Sequence, residues 1–375
     1  MILLTGANSG IGYEAALRLA AQHHTLVLPC RTMDKSIAAI LSIQQELPDA
    51  KLIAAECDLS SLSSIRAFAK ALPSLIGNTN KLDTVCYNAG LSRSTKAQDV
   101  ARTQDGFELT GQCGTVYCSV CILLLLISHI VCSNNSAVGT NHLGHFLLHH
   151  LLVPYLSPSA NLVVTASAVH DPETKAGARG SPATLGSLEG FERDGKDFGM
   201  VDGSAFDPDK AYKDSKVRVP LSSVCSIQSN CTNRSLFWLV FQLCNILFTR
   251  ELQRRLESDP STKNMVVNCF NPGLIVSTGL FRNQGKVFTT VFDFMATSVF
   301  GFGETKSFGG GCLSYMATSV RTKGLYYGAP AGSVKYGDAA YGNQFTVNEM
   351  SKEAQDDITA QRLWELSERL VGISK

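Results

Sequence analysis

Thr5-Gly6-Ala7-Asn8-Ser9-Gly10-Ile11-Gly12 is the stretch that decides the fold. It follows an apolar run at 1–4 and opens a helical pattern over 10–21. Glycines let a backbone turn sharply and approach a pyrophosphate. The helix that follows offers N–H groups and the positive end of a dipole. A glycine triplet alone also fits a plain tight turn. Between a strand and a helix it reads as a dinucleotide loop. Gly6, Ser9, Gly10, Ile11 and Gly12 are therefore candidate cofactor contacts.

Outward from that loop, strands are expected at 25–29, 52–56 and 82–87 and helices at 35–47 and 60–72, the last with Ser60 as its N-cap. This βαβαβ rhythm predicts a parallel sheet with helices on both faces. Further on, the pattern predicts helices over 138–152, from 211 to 216 and over 351–371, and strands over 160–166 and 265–270. Glycine-rich stretches at 177–190 and 301–311 read as loops near a site. No repeat and no linker divides the chain. The expectation is an α/β, Rossmann-type doubly wound parallel sheet in a single domain over 1–375, with substrate-binding segments toward the C-terminus.

Bulk composition narrows the function. The chain is 45% apolar and 17% charged, enough for a sizeable core, and its net charge of +1 gives no pull toward nucleic acid. Of 12 cysteines, Cys118 and Cys121 have a metal-like gap, but no second pair completes a zinc site. The thiols read as reduced and intracellular. No signal or transit peptide is visible, and the apolar runs at 121–131 and 236–248 are too short or too mixed to span a bilayer.

The second strand ends Pro29-Cys30-Arg31, without the acidic residue that would bond a ribose diol. Arg31 and Lys35, a helical turn apart, suit a 2′-phosphate and so NADPH; the plainer reading is two solvated surface cations. Asn88-Ala89-Gly90 ends the fourth strand. Tyr212 and Lys216 are spaced YxxxK, which on a helix puts them on one face. An ammonium there stabilises a phenolate, making Tyr212 a candidate general acid.

The spacing TGxxxGxG, with NAG and YxxxK after it, resembles the short-chain dehydrogenase/reductase superfamily. The resemblance implies further roles. Asp58 and Leu59 would hold the adenine ring. Ser167 would orient substrate, Asn141 would hold a relay water and support Lys216, and Pro272, Gly273 and Thr278 would contact the nicotinamide end together with Lys216. Plainer readings are a turn or cap serine at 167 and a polar residue at a helix N-terminus at 141. His142, His145, His149 and His150 sit at helical spacing and read as helix surface and packing rather than ligands.

Longer stretches resemble light-dependent protochlorophyllide reductases: Asp105-Gly106-Phe107-Glu108-Leu109, Gly139-Thr140-Asn141-His142-Leu143-Gly144-His145-Phe146, Ala211-Tyr212-Lys213-Asp214-Ser215-Lys216, Thr278-Gly279-Leu280-Phe281-Arg282, and a tail containing Trp364-Glu365-Leu366-Ser367. That family reduces the C17–C18 double bond of protochlorophyllide with NADPH in light. The resemblance implies a small-molecule substrate, no nucleic-acid partner and a plastid location; a cytoplasmic one is the alternative. Peripheral membrane association and oligomeric state stay open. Two features depart from the family. Leu274 stands where the family has a cysteine, and Gly328-Ala329-Pro330 replaces part of an aromatic-rich stretch. These keep a retinol-dehydrogenase-like or general carbonyl reductase as the alternative.

Residues 111–137 and 217–242 interrupt the family pattern, which closes up when they are removed. Both are rich in Cys, Ser, Val and Leu and poor in acids, as translated intron sequence would be. Genuine loop insertions are the other reading. Pro220 would stop a helix carrying Tyr212 and Lys216, which the family pattern continues through 243–256. A non-catalytic NADPH-binding product is thus a further alternative.

Overall fold

The short apolar runs become strands because only a sheet covered by helices on both faces can bury them completely. In a computed structural model, described for residues 1–77, 80–90, 105, 139–173, 184–192, 201–202, 218–219, 236–237, 243–276, 293–294, 303–328 and 345–373, the strands are β1 (Ile2–Leu4), β2 (Leu26–Cys30), β3 (Leu52–Glu56), β4 (Leu82–Tyr87), β5 (Leu156–Thr165), β6 (Arg218–Val219), β7 (Leu236–Phe237), β8 (Val266–Phe270), β9 (Tyr326–Gly328) and β10 (Thr346–Asn348). Eight of them form one sheet in the order β10-β9-β8-β5-β4-β1-β2-β3. All neighbours run parallel except β10, which pairs antiparallel with β9. The antiparallel edge is an addition to the expected sheet. β6 and β7, inside the second atypical segment, pair only with each other.

The helices are α1 (Gly10–Ala21), α2 (Met33–Glu46), α3 (Leu62–Ile76), α4 (Gly144–Leu152), α5 (Glu189–Glu192), α6 (Leu243–Ser258), α7 (Lys306–Thr318) and α8 (Asp357–Leu370). Two cores lie on opposite faces of the sheet. One gathers Ala15, Leu19, Leu28, Ile43, Phe308 and Met316 from α1, α2, α7 and the strands beneath them. The other gathers Phe68, Phe146, Leu162, Phe248 and Trp364. Trp364 ties α8 down: its ring stacks on Phe248 with centroids 5.8 Å apart, and the Arg255 guanidinium lies 4.5 Å from its centroid. α6 begins at Leu243, immediately after the second atypical segment, and packs on β5 and β8. This is where the family pattern continues the helix.

Four sequence expectations need correction. Ser61, not Ser60, caps α3 by accepting the Ser64 N–H; Ser60 instead turns back to Asp58, its N–H and hydroxyl both reaching Oδ1. The stretch at 301–311 is not all loop, because Gly309, Gly310 and Gly311 lie within α7. A Cβ on Gly310 would stand 2.3 Å from Glu14 Cβ, and one on Gly309 would stand 2.6 Å from Ile11 Cγ2. These glycines serve close approach of α7 to α1, and composition alone does not separate that use from a loop. The helix expected over 138–152 starts as a π turn, Gly139–Leu143, before α4. His142, His145 and His149 on it are buried rather than on the surface.

Candidate active site

The strand order reverses its winding at β1, which has β2 on one side and β4 on the other. Ligands of open α/β sheets bind in the crevice at the carboxyl ends of such strands. Thr5 and Gly6 follow β1, Arg31 follows β2, Asp58 follows β3 and Asn88 follows β4. Ser167 lies just past β5, and Asn271, Pro272 and Gly273 lie past β8. Parallel register brings these ends to one level: Leu4 pairs with Cys86, Tyr87 with Val164, and Thr165 with Phe270.

The loop after β1 is shaped for an anion. Gly6 has φ +75°, and a Cβ on it would lie 2.8 Å from Ala89 Cα. A Cβ on Gly12 would lie 2.2 Å from the Gly6 carbonyl oxygen. Ser9, at the N-cap of α1, makes no side-chain cap, and the first turn holds no acid. The leading N–H groups of α1 are therefore not satisfied by the helix's own side chains, as a phosphate-binding terminus requires. This cradle fits a dinucleotide. Ile11 packs toward α7 through Gly309, a structural task.

Past β2, Arg31 and Lys35 are exposed. The Arg31 Nε lies 3.8 Å from Asp58 Oδ1. Asp58 is held by Ser60 and by Ser64, whose hydroxyl accepts the Asp58 N–H. The Leu59 side chain is buried in the core. The Glu56 carboxylate accepts the Met33 N–H at the start of α2.

Asn88 stitches three strands. Its Nδ2 donates to the Thr5 carbonyl at 3.0 Å, and its Oδ1 accepts the Thr165 hydroxyl at 3.1 Å. Asn245 on α6 then donates to the Thr165 carbonyl at 3.2 Å. Asn141 is buried, and a Cβ on Gly90 would stand 3.7 Å from its Nδ2, so the fourth-strand motif and Asn141 come together. The Asn141 carbonyl is 3.0 Å from His145 Nδ1. Ser167 stands at the N-cap of a short 3₁₀ turn, Ala168–His170, but its side chain makes no cap hydrogen bond. The plainer reading of a turn serine stands, and among the described residues the hydroxyl caps nothing. Past β8, the Leu274 carbonyl accepts the Glu304 N–H at 2.7 Å. Tyr212, Lys216 and Thr278 lie outside the described residues.

Sequence reasoning passed over Thr5, Thr165, His145 and His170 as site builders. Thr5 stood in the TG pair as a visible signal. The histidines gave none, because their role depends on partners distant in the chain. Burial lowers the pKa of His142 to about 3, of His145 to about 4 and of His149 to about 3, so all three imidazoles are neutral. Among the described residues no cluster of metal-ligating side chains occurs, and no helix is long and apolar enough to cross a membrane. Cys30, Cys57, Cys86, Cys244, Cys269 and Cys312 are buried thiols.

The short chain dehydrogenase family model matches residues 1–120. Protochlorophyllide reductase A, chloroplastic, of Hordeum vulgare is 30% identical over 100% of this chain and 81% of its own length. Protochlorophyllide reductase of Avena sativa is 30% identical over 100% of both chains. Among solved structures, a protein from Mycobacterium paratuberculosis superimposes with TM-score 0.57 at 24% identity, covering 99% of this chain and 92% of that one. Levodione reductase gives 0.52 at 16%, covering 89% and 96%. The structures show the fold alone, whereas the plant enzymes match along the whole length. The chain therefore belongs to the short-chain dehydrogenase/reductase superfamily, as an oxidoreductase that resembles the protochlorophyllide reductases within it.

Proposed function

We propose that the chain reduces the C17–C18 double bond of protochlorophyllide with NADPH. The observation that carries this reading is the likeness to plant protochlorophyllide reductases along the whole chain, at 30% identity. The glycine cradle at Gly6 and Gly12 supports a dinucleotide, and Arg31 with Lys35 supports its 2′-phosphate form. By the same resemblance Asp58 and Leu59 would hold the adenine, Asn88, Ala89 and Gly90 would line the cofactor, and Pro272, Gly273 and Thr278 would contact its nicotinamide end. When bound, the cofactor supplies the hydride. Tyr212 gives its phenolic proton to the neighbouring carbon, Lys216 favours the phenolate that remains, and Ser167 and Asn141 hold substrate and proton relay. We place the protein in the plastid, as the relatives' names state for them.

Leu274 favours a second reading. It can neither donate a proton nor hydrogen-bond a pigment where the resembled family has a cysteine. In a carbonyl reductase the same Tyr212 would protonate an alkoxide and Ser167 would orient the carbonyl. We further propose that 111–137 and 217–242 are insertions of retained-intron origin; spliced transcripts keeping both would contradict this.

The deciding experiment is an absorbance assay, dark then illuminated, with NADPH and protochlorophyllide. It is run on the full chain and on a form lacking 111–137 and 217–242. Light-driven conversion to chlorophyllide supports the pigment reading. A folded, NADPH-binding protein that converts no pigment but reduces retinal or another carbonyl supports the second.

A further inference from the structure

Ser167 is held through its own carbonyl, and the residue before it is tied to β8. The N–H of Ala166 before it donates to the Phe270 carbonyl at 2.6 Å. Its own carbonyl lies 2.8 Å from Nδ1 of His170, whose side chain is 1% exposed. The other nitrogen, Nε2, lies 3.1 Å from the backbone N of Ser351. A carbonyl only accepts and a backbone N–H only donates. Nδ1 must therefore carry the proton, and Nε2 must present its lone pair. Of the three states open to an imidazole, both the other tautomer and the imidazolium put an N–H against the Ser351 N–H. Burial lowers the His170 pKa and agrees with the neutral form. The Tyr326 ring packs edge-on against His170, with 5.0 Å between centroids.

Ser351 belongs to a stretch that clasps the same region at several points. The Glu353 carboxylate accepts the Leu185 N–H at 2.6 Å and the Thr184 hydroxyl at 3.1 Å. Lys352 pairs with Glu173 at 2.6 Å. The Ser351 hydroxyl accepts the Ala354 N–H, closing the turn that presents its own amide. The segment before α8 thus reaches across more than 170 residues of chain to select one histidine tautomer.

We propose that His170 is a positioning residue for Ser167, and that Ser351 holds it in the Nδ1–H tautomer this task needs. The proposal rests on the reading of Ser167 as a substrate-orienting hydroxyl. With its own carbonyl held by His170 and the preceding residue tied to β8 through the Ala166 N–H, the backbone at Ser167 is steadied and the hydroxyl is presented toward substrate.

Two measurements test this. In the full-length protein, long-range ¹H–¹⁵N correlation of histidine rings is expected to show His170 protonated on Nδ1; a proton on Nε2 overturns the proposal without reference to any activity. In turnover with NADPH and illuminated protochlorophyllide, or retinal if the pigment is not converted, His170→Ala is expected to lower kcat about tenfold with the NADPH Kd unchanged. Asn places an amide N–H near the Nδ1 position, so His170→Asn is expected to restore most of that loss. Gln reaches only the Nε2 position, so His170→Gln is expected to restore none. Equal recovery by Asn and Gln, or full kcat in His170→Ala, overturns the proposal. Ser167→Ala with undiminished kcat would overturn the reading of Ser167 itself and the positioning role with it, while the ring spectrum would still report whether the hydrogen bonds are as described. Should His170→Ala fail to fold, the spectrum of the unaltered protein decides.

Discussion

The Thr5 hydroxyl oxygen accepts the N–H of Asn88 and the N–H of Ala89, each at 2.9 Å, and lies 3.1 Å from His145 Nε2. His145 Nδ1 faces the Asn141 carbonyl and must donate to it, so Nε2 is the lone-pair nitrogen and takes the Thr5 proton. The Cys86 carbonyl, 3.2 Å away, already accepts the Thr5 N–H. One hydroxyl thereby joins the glycine loop after β1, the fourth-strand motif and the turn carrying Asn141. Thr5→Val is expected to strand two half-buried amides and cost about 1–3 kcal/mol in urea unfolding. Thr5→Ser is expected to cost little, and equal losses for both would show that the methyl, not the hydroxyl, matters.

At the cradle, Gly12→Ala places a methyl 2.2 Å from the Gly6 carbonyl. The loop must open to admit it. NADPH binding, followed by nicotinamide fluorescence, is expected to weaken by about tenfold or more while the protein stays folded. Unchanged affinity would mean that the nucleotide sits elsewhere.

Arg31 and Lys35 are exposed cations, so their contribution is tempered by solvent. Arg31→Ala is expected to raise the NADPH Kd about tenfold and to leave the NADH Kd near its original value. Equal changes for the two cofactors would mean that Arg31 serves Asp58, 3.8 Å away, rather than a 2′-phosphate.

Acid stability follows from the buried histidines. Their folded pKa values, about 3 to 4 for His142, His145 and His149, lie below the unfolded value of 6.5. Below pH 6.5 the unfolded chain binds protons that the folded chain refuses, so stability falls as pH falls toward the folded values. His149→Gln is expected to flatten the plot of unfolding free energy between pH 6 and 5 by about 1.4 kcal/mol per pH unit. An unchanged slope would place His149 in a solvated setting.

Gly310→Ala tests the seam between α1 and α7, where the new methyl meets Glu14 Cβ at 2.3 Å. A loss of about 1–3 kcal/mol is expected in thermal or urea unfolding. A gain, as alanine gives in an unobstructed helix, would contradict the close approach.

Sequence carried the first ninety residues almost intact, because each strand and helix there is local and periodic. Helix α1 runs over Gly10–Ala21 and β3 over Leu52–Glu56 as expected. The cofactor-side motifs fell where strand ends fall, since glycines and Asn88 answer to backbone geometry within a few residues. What escaped depends on distance. Gly309 and Gly310 look like loop residues until α1 is laid against them. The histidines of α4 and of the π turn before it look amphipathic until Tyr87 and Ser367 are seen to meet His149 and His142 at 3.0 Å. His170 has no local signature, for its meaning comes from Ser351.

The account stands on hydride transfer from a nicotinamide to the substrate with proton delivery from Tyr212, and isotope labelling tests it most directly. Protochlorophyllide is illuminated with the protein and NADPH carrying deuterium on the transferable C4 position, and the product mass is read. The account predicts chlorophyllide that gains one deuterium from the cofactor and one proton from solvent, with formation lost in Tyr212→Phe. Product that carries no cofactor deuterium, or a Tyr212→Phe variant that forms it as fast as the unaltered protein, would contradict the account.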